Sequence, residues 1–282
     1  MPEARRPGAC PTVTLNNGVG IPQLGFGVFR LPPEETQGAV GAALQAGYRH
    51  IDTAAAYRNG SAVGAAIAGS GIPREELFVT TKVRTGEPGL VHENLQNSRA
   101  ALGLDYVDLY LIHGPVPSAG LPPAGWKAME ELYAAGLTRA IGVCNLMADQ
   151  LDRLLAEAIV VPALNQIEIR PTFQQHELAA RSRSLGIAVG ACNASGRDAD
   201  LGDGTVRYLA AKYAATPAQI ILAWHLCSGT IPIATSFTPG RMAEDLEAAS
   251  IILRSGELAA MTRIENDYRT AADPACDAVC QT

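Results

Sequence analysis

Four polar residues of the sequence could together transfer a proton to a carbonyl oxygen. Asp52 and Tyr57 follow one apolar run, Lys82 ends a second run, and His113 ends a third. Because a lysine ammonium favours the ionised form of a nearby phenol, we expect Lys82 to lower the pKa of Tyr57 toward the working pH. A carboxylate holds such a lysine charged, and an imidazole can donate a hydrogen bond to the carbonyl. The set predicts Tyr57 as a general acid.

This set favours chemistry in which the protein forms no covalent bond to its substrate. The sequence has no Ser–His–Asp order and no G-x-S-x-G motif, which would indicate a covalent nucleophile. A carbonyl that gains a proton without attack by the protein needs a hydride from elsewhere, which indicates a nicotinamide cofactor. Each residue alone also has a structural interpretation, as a helix cap, a solvent-facing lysine, a scaffold histidine or a packed tyrosine. Their convergence on consecutive strand ends favours a site.

These residues can act together only if the fold brings the strand ends to one place. Eight short β-rich runs alternate with segments of helical period. The predicted strands are Leu24–Val28, Arg49–Asp52, Leu77–Lys82, Val107–His113, Arg139–Cys144, Ala163–Ile167, Ile187–Cys192 and Thr230–Ala234. The predicted helices are Glu34–Ala46, Ser61–Gly69, Leu90–Leu102, Pro122–Ala135, Met147–Glu157, Gln174–Leu185, Gly204–Ala214, Thr216–Cys227 and Pro239–Leu246. This alternation predicts an α/β fold, a (β/α)8 TIM barrel with its chemistry at the carboxyl ends of the strands.

An Asn-Asn-Gly run at residues 16–18 separates two short apolar runs, Thr12–Leu15 and Val19–Pro22. Asn-Gly in this setting predicts a β-hairpin, which we expect to cap the bottom of the barrel. No linker or change of composition divides the chain, so residues 1–282 are predicted to form a single domain. The first strand is not followed by G-x-G-x-x-G, which argues against an open dinucleotide-binding sheet.

Composition narrows the possible partners. The 282 residues carry a net charge of −6, with 48% hydrophobic and 18% charged residues. An acidic chain without a basic run argues against nucleic acid or an anionic membrane surface as a partner. The apolar runs are also too short to span a bilayer. We therefore expect a small-molecule substrate and no nucleic-acid or membrane partner, and the oligomeric state is left open.

The six cysteines are spread along the chain without zinc-ligand spacing, so no metal site is predicted. A chain of this length with a full core needs no disulfides, which favours reduced thiols and a cytoplasmic location. The N-terminal residues are followed by no apolar stretch, so we expect no signal peptide. Cys276 and Cys280 are interpreted as a feature of the tail.

Five longer stretches carry a more specific signal. They are Gly47–Tyr57, Leu102–His113, Ala140–Asn145, Asn165–Glu168 and Thr216–Gln219. Through them the chain resembles a divergent member of the aldo-keto reductase family over most of its length. The resemblance implies a (β/α)8 barrel that binds NADP(H) in an extended form without a Rossmann domain.

The resemblance also implies roles for individual residues. Asp52, Tyr57, Lys82 and His113 match the catalytic tetrad of the family, in which the tyrosine protonates a carbonyl that receives a hydride. Asn145 and Gln166 match the pair that binds the nicotinamide carboxamide. Further cofactor positions of the family fall on Cys192, Asn193, Thr235, Ser236 and Arg241.

Three residues depart from the family pattern at the cofactor. Cys192 stands where the family usually has a tyrosine beneath the nicotinamide, which removes a stacking contribution of about 0.5–1.5 kcal/mol. Thr235 replaces the lysine that meets the 2′-phosphate of NADP, and Asp245 replaces an asparagine near that phosphate. We expect a weakened preference for NADP, which admits NAD or a weakened or lost cofactor site.

The substrate pocket departs as well. Phe29, Arg84 and Gly114 stand at positions where family members often have tryptophan. The pocket is therefore expected to be wider, less aromatic and more cationic. Arg84 and Arg170 either pair with an anionic substrate or point to solvent, and the sequence leaves both interpretations open.

Three functions follow. The first is a nicotinamide-dependent reductase of a small polar aldehyde or ketone, either neutral or anionic. The second is a non-redox lyase, dehydratase, isomerase or cyclase that keeps the acid–base residues on a degraded cofactor site. The third is a binding or regulatory protein, which no sequence feature favours.

Overall fold

The computed structural model describes residues 10–84, 88–114, 123–236 and 238–270. Eight parallel strands close into a barrel in the order β10-β3-β4-β5-β6-β7-β8-β9. The strands are β3 (Gly25–Gly27), β4 (His50–Asp52), β5 (Phe78–Val83), β6 (Leu109–Ile112), β7 (Ile141–Cys144), β8 (Leu164–Glu168), β9 (Ala188–Cys192) and β10 (Ile231–Ala234). The predicted (β/α)8 barrel is confirmed, and each predicted strand is found within two residues of its expected ends.

Helices surround the barrel and follow the predicted order. The expected ones are α1 (Pro33–Ala46), α2 (Gly60–Gly69), α3 (Pro88–Leu102), α4 (Pro123–Ala134), α5 (Ala148–Leu155), α6 (His176–Ser184), α8 (Gly204–Tyr213), α9 (Pro217–Cys227) and α10 (Pro239–Glu247). Two more, α7 (Asp198–Gly202) and α11 (Ser255–Thr262), were not predicted. Both are short, so their sequences show too few turns for a helical period to appear. Single turns of 3-10 helix span Ala55–Tyr57, Arg74–Glu76 and Ala248–Ser250.

The predicted hairpin is confirmed at the amino-terminal end of the barrel. Its strands, β1 (Thr12–Thr14) and β2 (Gly20–Pro22), pair antiparallel. Gly18 has φ +85°, the left-handed conformation that such a turn requires. Asn17 Nδ2 donates to Arg139 O at 2.9 Å, just before β7 begins. The hairpin therefore closes the bottom, away from the strand ends where polar residues collect.

The core explains why the strands read as nearly continuous apolar runs. Parallel strands of a barrel are covered on both faces, and β6 and β7 are buried along their whole length. Where the strands approach most closely the sequence has glycine. A Cβ on Gly142 would lie 2.4 Å from Leu164 O, so no larger residue fits between β7 and β8.

Other expectations concern cysteines, metals, membranes and domains. None of the cysteines in the described ranges, Cys10, Cys144, Cys192 and Cys227, forms a disulfide. Within these ranges no cluster of His, Cys, Asp and Glu is arranged to hold a metal, and no helix has the length and apolarity needed to cross a membrane. Cys276 and Cys280 lie outside the described residues. That residues 1–282 form one domain stays a prediction.

Candidate active site

The structure brings Asp52, Tyr57, Lys82 and His113 to the carboxyl end of the barrel. Asp52 ends β4, Lys82 lies near the end of β5, and His113 directly follows β6. Tyr57 ends the 3-10 turn that follows β4. Neighbouring strands align these ends, since Asp52 pairs in register with Thr80 and Lys82 with Leu111. The four residues named from the sequence therefore share one small region.

Lys82 and Asp52 form a buried ion pair. Lys82 Nζ donates to Asp52 Oδ1 and, at 3.0 Å, to the backbone oxygen of Thr53. The two residues are 1% and 4% exposed. Burial alone would lower the pKa of Lys82, but the charge of Asp52, the nearby phenol of Tyr57 and the hydrogen bond raise it above its ordinary value. Lys82 therefore stays a cation at neutral pH.

The ring of Tyr57 lies near this cation and near the rings of His113 and Phe29. Its ring centroid lies 5.5 Å from Lys82 Nζ, 5.7 Å from the ring of His113 and 5.1 Å from the ring of Phe29. Burial raises the pKa of Tyr57 to about 12, although the charge of Lys82 acts to lower it. The expectation of a lowered pKa is therefore wrong, because loss of hydration outweighs the nearby charge. At neutral pH Tyr57 holds its proton.

His113 is neutral at physiological pH. Burial, together with the charges of Lys82 and Arg84, lowers its pKa to about 3, and the charge of Asp52 only partly compensates. Its Nδ1 atom is buried and has no hydrogen-bond partner in the described part of the chain. A neutral imidazole carries one N–H group, so it can donate one hydrogen bond to an oxygen.

Two amides named from the sequence lie on the neighbouring strand ends. Gln166 Nε2 donates to Asp52 Oδ2 at 3.0 Å, which joins β8 to the ion pair. Asn145 follows β7 with φ +55°, and its N–H donates to Gln166 O at 2.9 Å. Asn165 holds this turn, because its side-chain amide bonds both the N–H and the oxygen of Leu146. Sequence reasoning gave no role to Asn165, although it lies in one of the matching stretches.

The segment after β9 carries the first of the altered cofactor positions. Cys192 ends the strand beside Glu168, and its half-buried thiol is near enough to Tyr57 to influence the phenol's pKa. Asn193 has φ +56° and accepts a hydrogen bond from Arg197 Nη2 at 3.1 Å. Ser195 Oγ is buried and has no partner among the described residues. It is a free hydroxyl that the sequence analysis did not single out.

The segment after β10 holds the remaining cofactor positions. Thr235 is half-buried beside Gly27, and Arg241 is exposed on α10. Ser236 is buried, and its hydroxyl donates to Asp245 Oδ2. Burial raises the pKa of Asp245 to about 6, although its hydrogen bond to Ser236 acts to lower it. Asp245 therefore places an acidic group beside the predicted cofactor positions, and its carboxylate accepts the hydrogen bond that the Ser236 hydroxyl donates.

The predicted substrate positions surround the mouth of the barrel. Phe29 is 48% exposed and packs against Tyr57. Arg84 is exposed and near enough to lower the pKa of His113. Gly114 follows His113 with φ +98°, and no atom of the described residues beyond its chain neighbours lies within 4 Å of where its Cβ would be. Among the described residues, these three positions border the mouth of the barrel, and Arg84 is the cation among them.

Arg170 is not at this rim. It is fully buried and pairs with Glu168 at 3.1 Å and Asp200 at 3.2 Å. Its guanidinium also donates to Thr172 Oγ1 and to Tyr268 O. Both interpretations of Arg170, as a substrate contact or a solvent-facing residue, are therefore wrong, because internal acceptors hold it.

The groups at these strand ends fit a nicotinamide dinucleotide in part. The unpartnered Ser195 hydroxyl and the donors of Asn145 and Gln166 border the region where the resemblance places the cofactor. The thiol of Cys192 offers a smaller and non-aromatic floor, and Thr235 offers no charge. The fit is good at the amide end and weaker at the phosphate end.

Comparisons with known proteins agree with this geometry. The sequence model of the Aldo/keto reductase family matches residues 18–266. The chain is 42% identical to the methylglyoxal reductase DkgA of Escherichia coli K12, with 94% of this chain and 98% of that protein covered. It is 40% identical to a morphine 6-dehydrogenase of Pseudomonas putida, with 95% of each covered. The structure of a Bombyx mori aldo-keto reductase in complex with NADP has a TM-score of 0.85 and 37% identity, with 92% of this chain and 94% of that chain covered.

A family match over most of the chain, relatives at this identity and a shared barrel lead to one conclusion. The chain belongs to the aldo/keto reductase family and is an NAD(P)H-dependent oxidoreductase.

Proposed function

We propose that this protein reduces the carbonyl of a small polar aldehyde or ketone, with Tyr57 as the general acid and NADPH as the preferred cofactor. One observation carries the proposal. A protonated phenol lies beside a buried cation and a neutral imidazole at the open end of the barrel. Such a set can protonate an oxygen on which negative charge develops.

Each residue has a separate task. Tyr57 donates its phenolic proton to the carbonyl oxygen, and the positive charge of Lys82 stabilises the phenolate that remains. Asp52 keeps Lys82 charged and in place. His113, as a neutral donor, orients the carbonyl oxygen toward Tyr57. The nicotinamide, when bound, supplies the hydride.

The cofactor positions divide into two groups. Asn145 and Gln166 would hold the carboxamide, and Cys192, Asn193 and Ser195 would border the ring and the chain that follows it. Ser236 and Arg241 would bind the 2′-phosphate of NADP, although Thr235 supplies no charge there and Asp245 competes for Ser236. This arrangement supports NADPH binding that is weaker than a lysine at position 235 would allow, with NADH as a poorer second cofactor.

The open rim supports a compact polar substrate. Phe29 offers an apolar face beside Tyr57, Gly114 leaves space, and Arg84 offers a cation to an anionic group of the substrate. A relative named for methylglyoxal supports a small carbonyl compound. A relative named for morphine supports a wider range of sizes, which an open rim would tolerate.

A non-redox acid–base enzyme on this barrel is the second candidate. Two replaced residues of the cofactor site favour it, Cys192 and Thr235. They remove an aromatic ring and a charge from that site, whereas the proton-transfer residues beside it are complete. Under this alternative Tyr57, Lys82 and His113 would move protons on a substrate that receives no hydride.

Titration with NADPH and NADH separates the two candidates. We expect micromolar binding of NADPH by nucleotide fluorescence, and NADPH consumption when small aldehydes are added. Thr235→Lys should tighten NADPH about tenfold, the effect of one added charge-assisted contact, and leave NADH unchanged. If neither the wild type nor the double variant Cys192→Tyr, Thr235→Lys binds either nucleotide, the reductase proposal fails.

A further inference from the structure

A second cavity lies outside the barrel wall, behind the turn that carries Tyr57. It has a volume of about 230 Å³ and lies among the 3-10 turn, β5, α2 and α3. The lining residues that matter here are Thr53, Arg58, Gly60, Ser61, Asn97 and Ser98. None of the residues assigned to the proposed reaction or to its cofactor lines it.

The amino-terminal end of α2 opens into this cavity without a cap. Asparagine is a favoured cap at such a position, but Asn59 makes no capping hydrogen bond. Its side chain turns the other way, donating to Val28 O at 3.1 Å and accepting from Thr53 Oγ1 at 3.2 Å. Within the described ranges, the backbone N–H groups of Gly60 and Ser61 have no acceptor.

Ser98 provides a second, independent observation at this cavity. It lies on α3, lines the cavity and is only 7% exposed. Its hydroxyl is buried and has no hydrogen-bond partner among the described residues. Because a buried hydroxyl without a partner costs free energy, such a group usually faces water or a ligand.

The charges around the cavity favour an anion. Arg58 is exposed at the rim, and none of the described lining residues is acidic. The amino-terminal end of α2 adds a partial positive charge. The end of α3 also borders the cavity, through Ala101 and Leu102. Two of its last carbonyls are occupied, since Gly103 N donates to Ala100 O and Leu104 N to Arg99 O. Arg58 and the amino-terminal end of α2 are therefore the positive groups among the described lining residues, and the end of α3 is the opposing partial negative charge.

We propose that this cavity binds a small tetrahedral oxyanion, of the phosphate and sulfate class. The N–H groups of Gly60 and Ser61, the hydroxyl of Ser98 and the guanidinium of Arg58 supply its donors. The cavity is large enough for one such ion with water. Because Thr53 both lines it and accepts from Lys82, a bound ion would brace the turn that carries Tyr57.

Inorganic phosphate is the probe, at constant ionic strength and with the full chain. The backbone amide NMR signals of Gly60 and Ser61 report on the site itself, whether or not the enzyme turns over. We expect their shifts to saturate in the millimolar range, sulfate to act like phosphate, and acetate to bind much more weakly. Arg58→Met should weaken phosphate about tenfold, the effect of one charge-assisted hydrogen bond, and Ser98→Ala by roughly a factor of five.

Two arginines serve as controls. Arg207→Met removes an exposed charge on α8, and Arg241→Met removes the charge proposed to meet the cofactor phosphate. Both should leave the phosphate affinity reported by Gly60 and Ser61 unchanged. The proposal is overturned if these signals do not saturate, if Arg58→Met binds as tightly as the wild type, or if acetate binds as tightly as phosphate.

Discussion

Two clusters of charged residues in this barrel each consist of a buried cation paired with buried carboxylate, and they differ in the other groups that surround the cation. In the first, Lys82 pairs with Asp52 and donates to the oxygen of Thr53. In the second, Arg170 pairs with both Glu168 and Asp200 and also donates to Thr172 and Tyr268. Both cations are almost fully buried. Each cation also lies 5.5 Å from the ring centroid of a tyrosine, Tyr57 for Lys82 and Tyr268 for Arg170. Among the described residues, only Tyr57 packs in addition against a histidine, His113.

The second cluster connects the barrel to the segment around Tyr268 and Thr270. Glu168 Oε1 accepts from Thr270 N at 3.1 Å, and Asp200 Oδ1 accepts from Thr172 N at 2.9 Å. The described acceptors of Arg170 are two carboxylates, a hydroxyl and a backbone oxygen, and such full pairing is the condition under which a buried charge is tolerated. The comparison teaches that burial of a charge does not identify a catalytic group. A catalytic group is identified by the other groups that the buried charge contacts, apart from its ion-pair partner.

Removing the phenolic hydroxyl tests the first cluster with the largest expected effect. Tyr57→Phe should lower kcat for carbonyl reduction by about 10²–10⁴-fold, because the general acid is lost. The melting temperature should change little, since the ring keeps its contacts with Phe29 and His113. Steady-state NADPH consumption and thermal unfolding measure the two effects. Tyr208→Phe, at a tyrosine that is 67% exposed, is the matched control. Unchanged turnover in Tyr57→Phe would remove this residue from its proposed role.

Removing the cation of the second cluster should have the opposite profile. Arg170→Met removes the cation that pairs with the buried carboxylates of Glu168 and Asp200, so we expect a loss of roughly 3–5 kcal/mol in the free energy of unfolding. Denaturant unfolding measures it, and Arg170→Lys should recover part of the loss. Turnover of the folded fraction should fall far less than in Tyr57→Phe.

Arg153→Met is the control for this stability effect. Arg153 forms an exposed pair with Asp149 one turn away on α5, at 3.0 Å. Exposed pairs of this kind contribute about 0.3–0.5 kcal/mol, so its loss should be small. If Arg153→Met and Arg170→Met destabilise equally, the second cluster is not the structural clamp that its contacts indicate.

The contrast between the clusters also marks how far the sequence could be interpreted. The strand ends that carry Asp52, Lys82 and His113 were predictable, because short apolar runs ending in a polar residue are visible in sequence. The pKa of Tyr57 was not, since its direction depends on how much water the phenol loses, which a list of neighbours does not contain. Arg170 was misjudged because its partner Asp200 and the segment at Tyr268 are distant in sequence.

Asp245 is a further buried carboxylate, and it sharpens the comparison because its described partner is a hydroxyl and not a cation. Burial raises its pKa from 3.8 to about 6, so the folded protein holds a proton there that the unfolded chain has released. Its contribution to stability is therefore fully present below pH 3.8 and is lost as the pH rises through 6. By pH 8 the loss amounts to roughly 2–3 kcal/mol.

Asp245→Asn removes this titration and keeps an acceptor for Ser236. The variant should be more stable than the wild type at pH 8 by up to that amount, and the difference should vanish near pH 4, as followed by denaturant unfolding at each pH. Glu75→Gln, at an exposed position, should show no such trend. Because the ionised Asp245 also repels a phosphate, the same variant should bind NADPH more tightly at pH 8 and leave NADH unchanged. A stability difference that does not depend on pH would mean that Asp245 ionises at its ordinary pKa and that its burial carries no electrostatic cost.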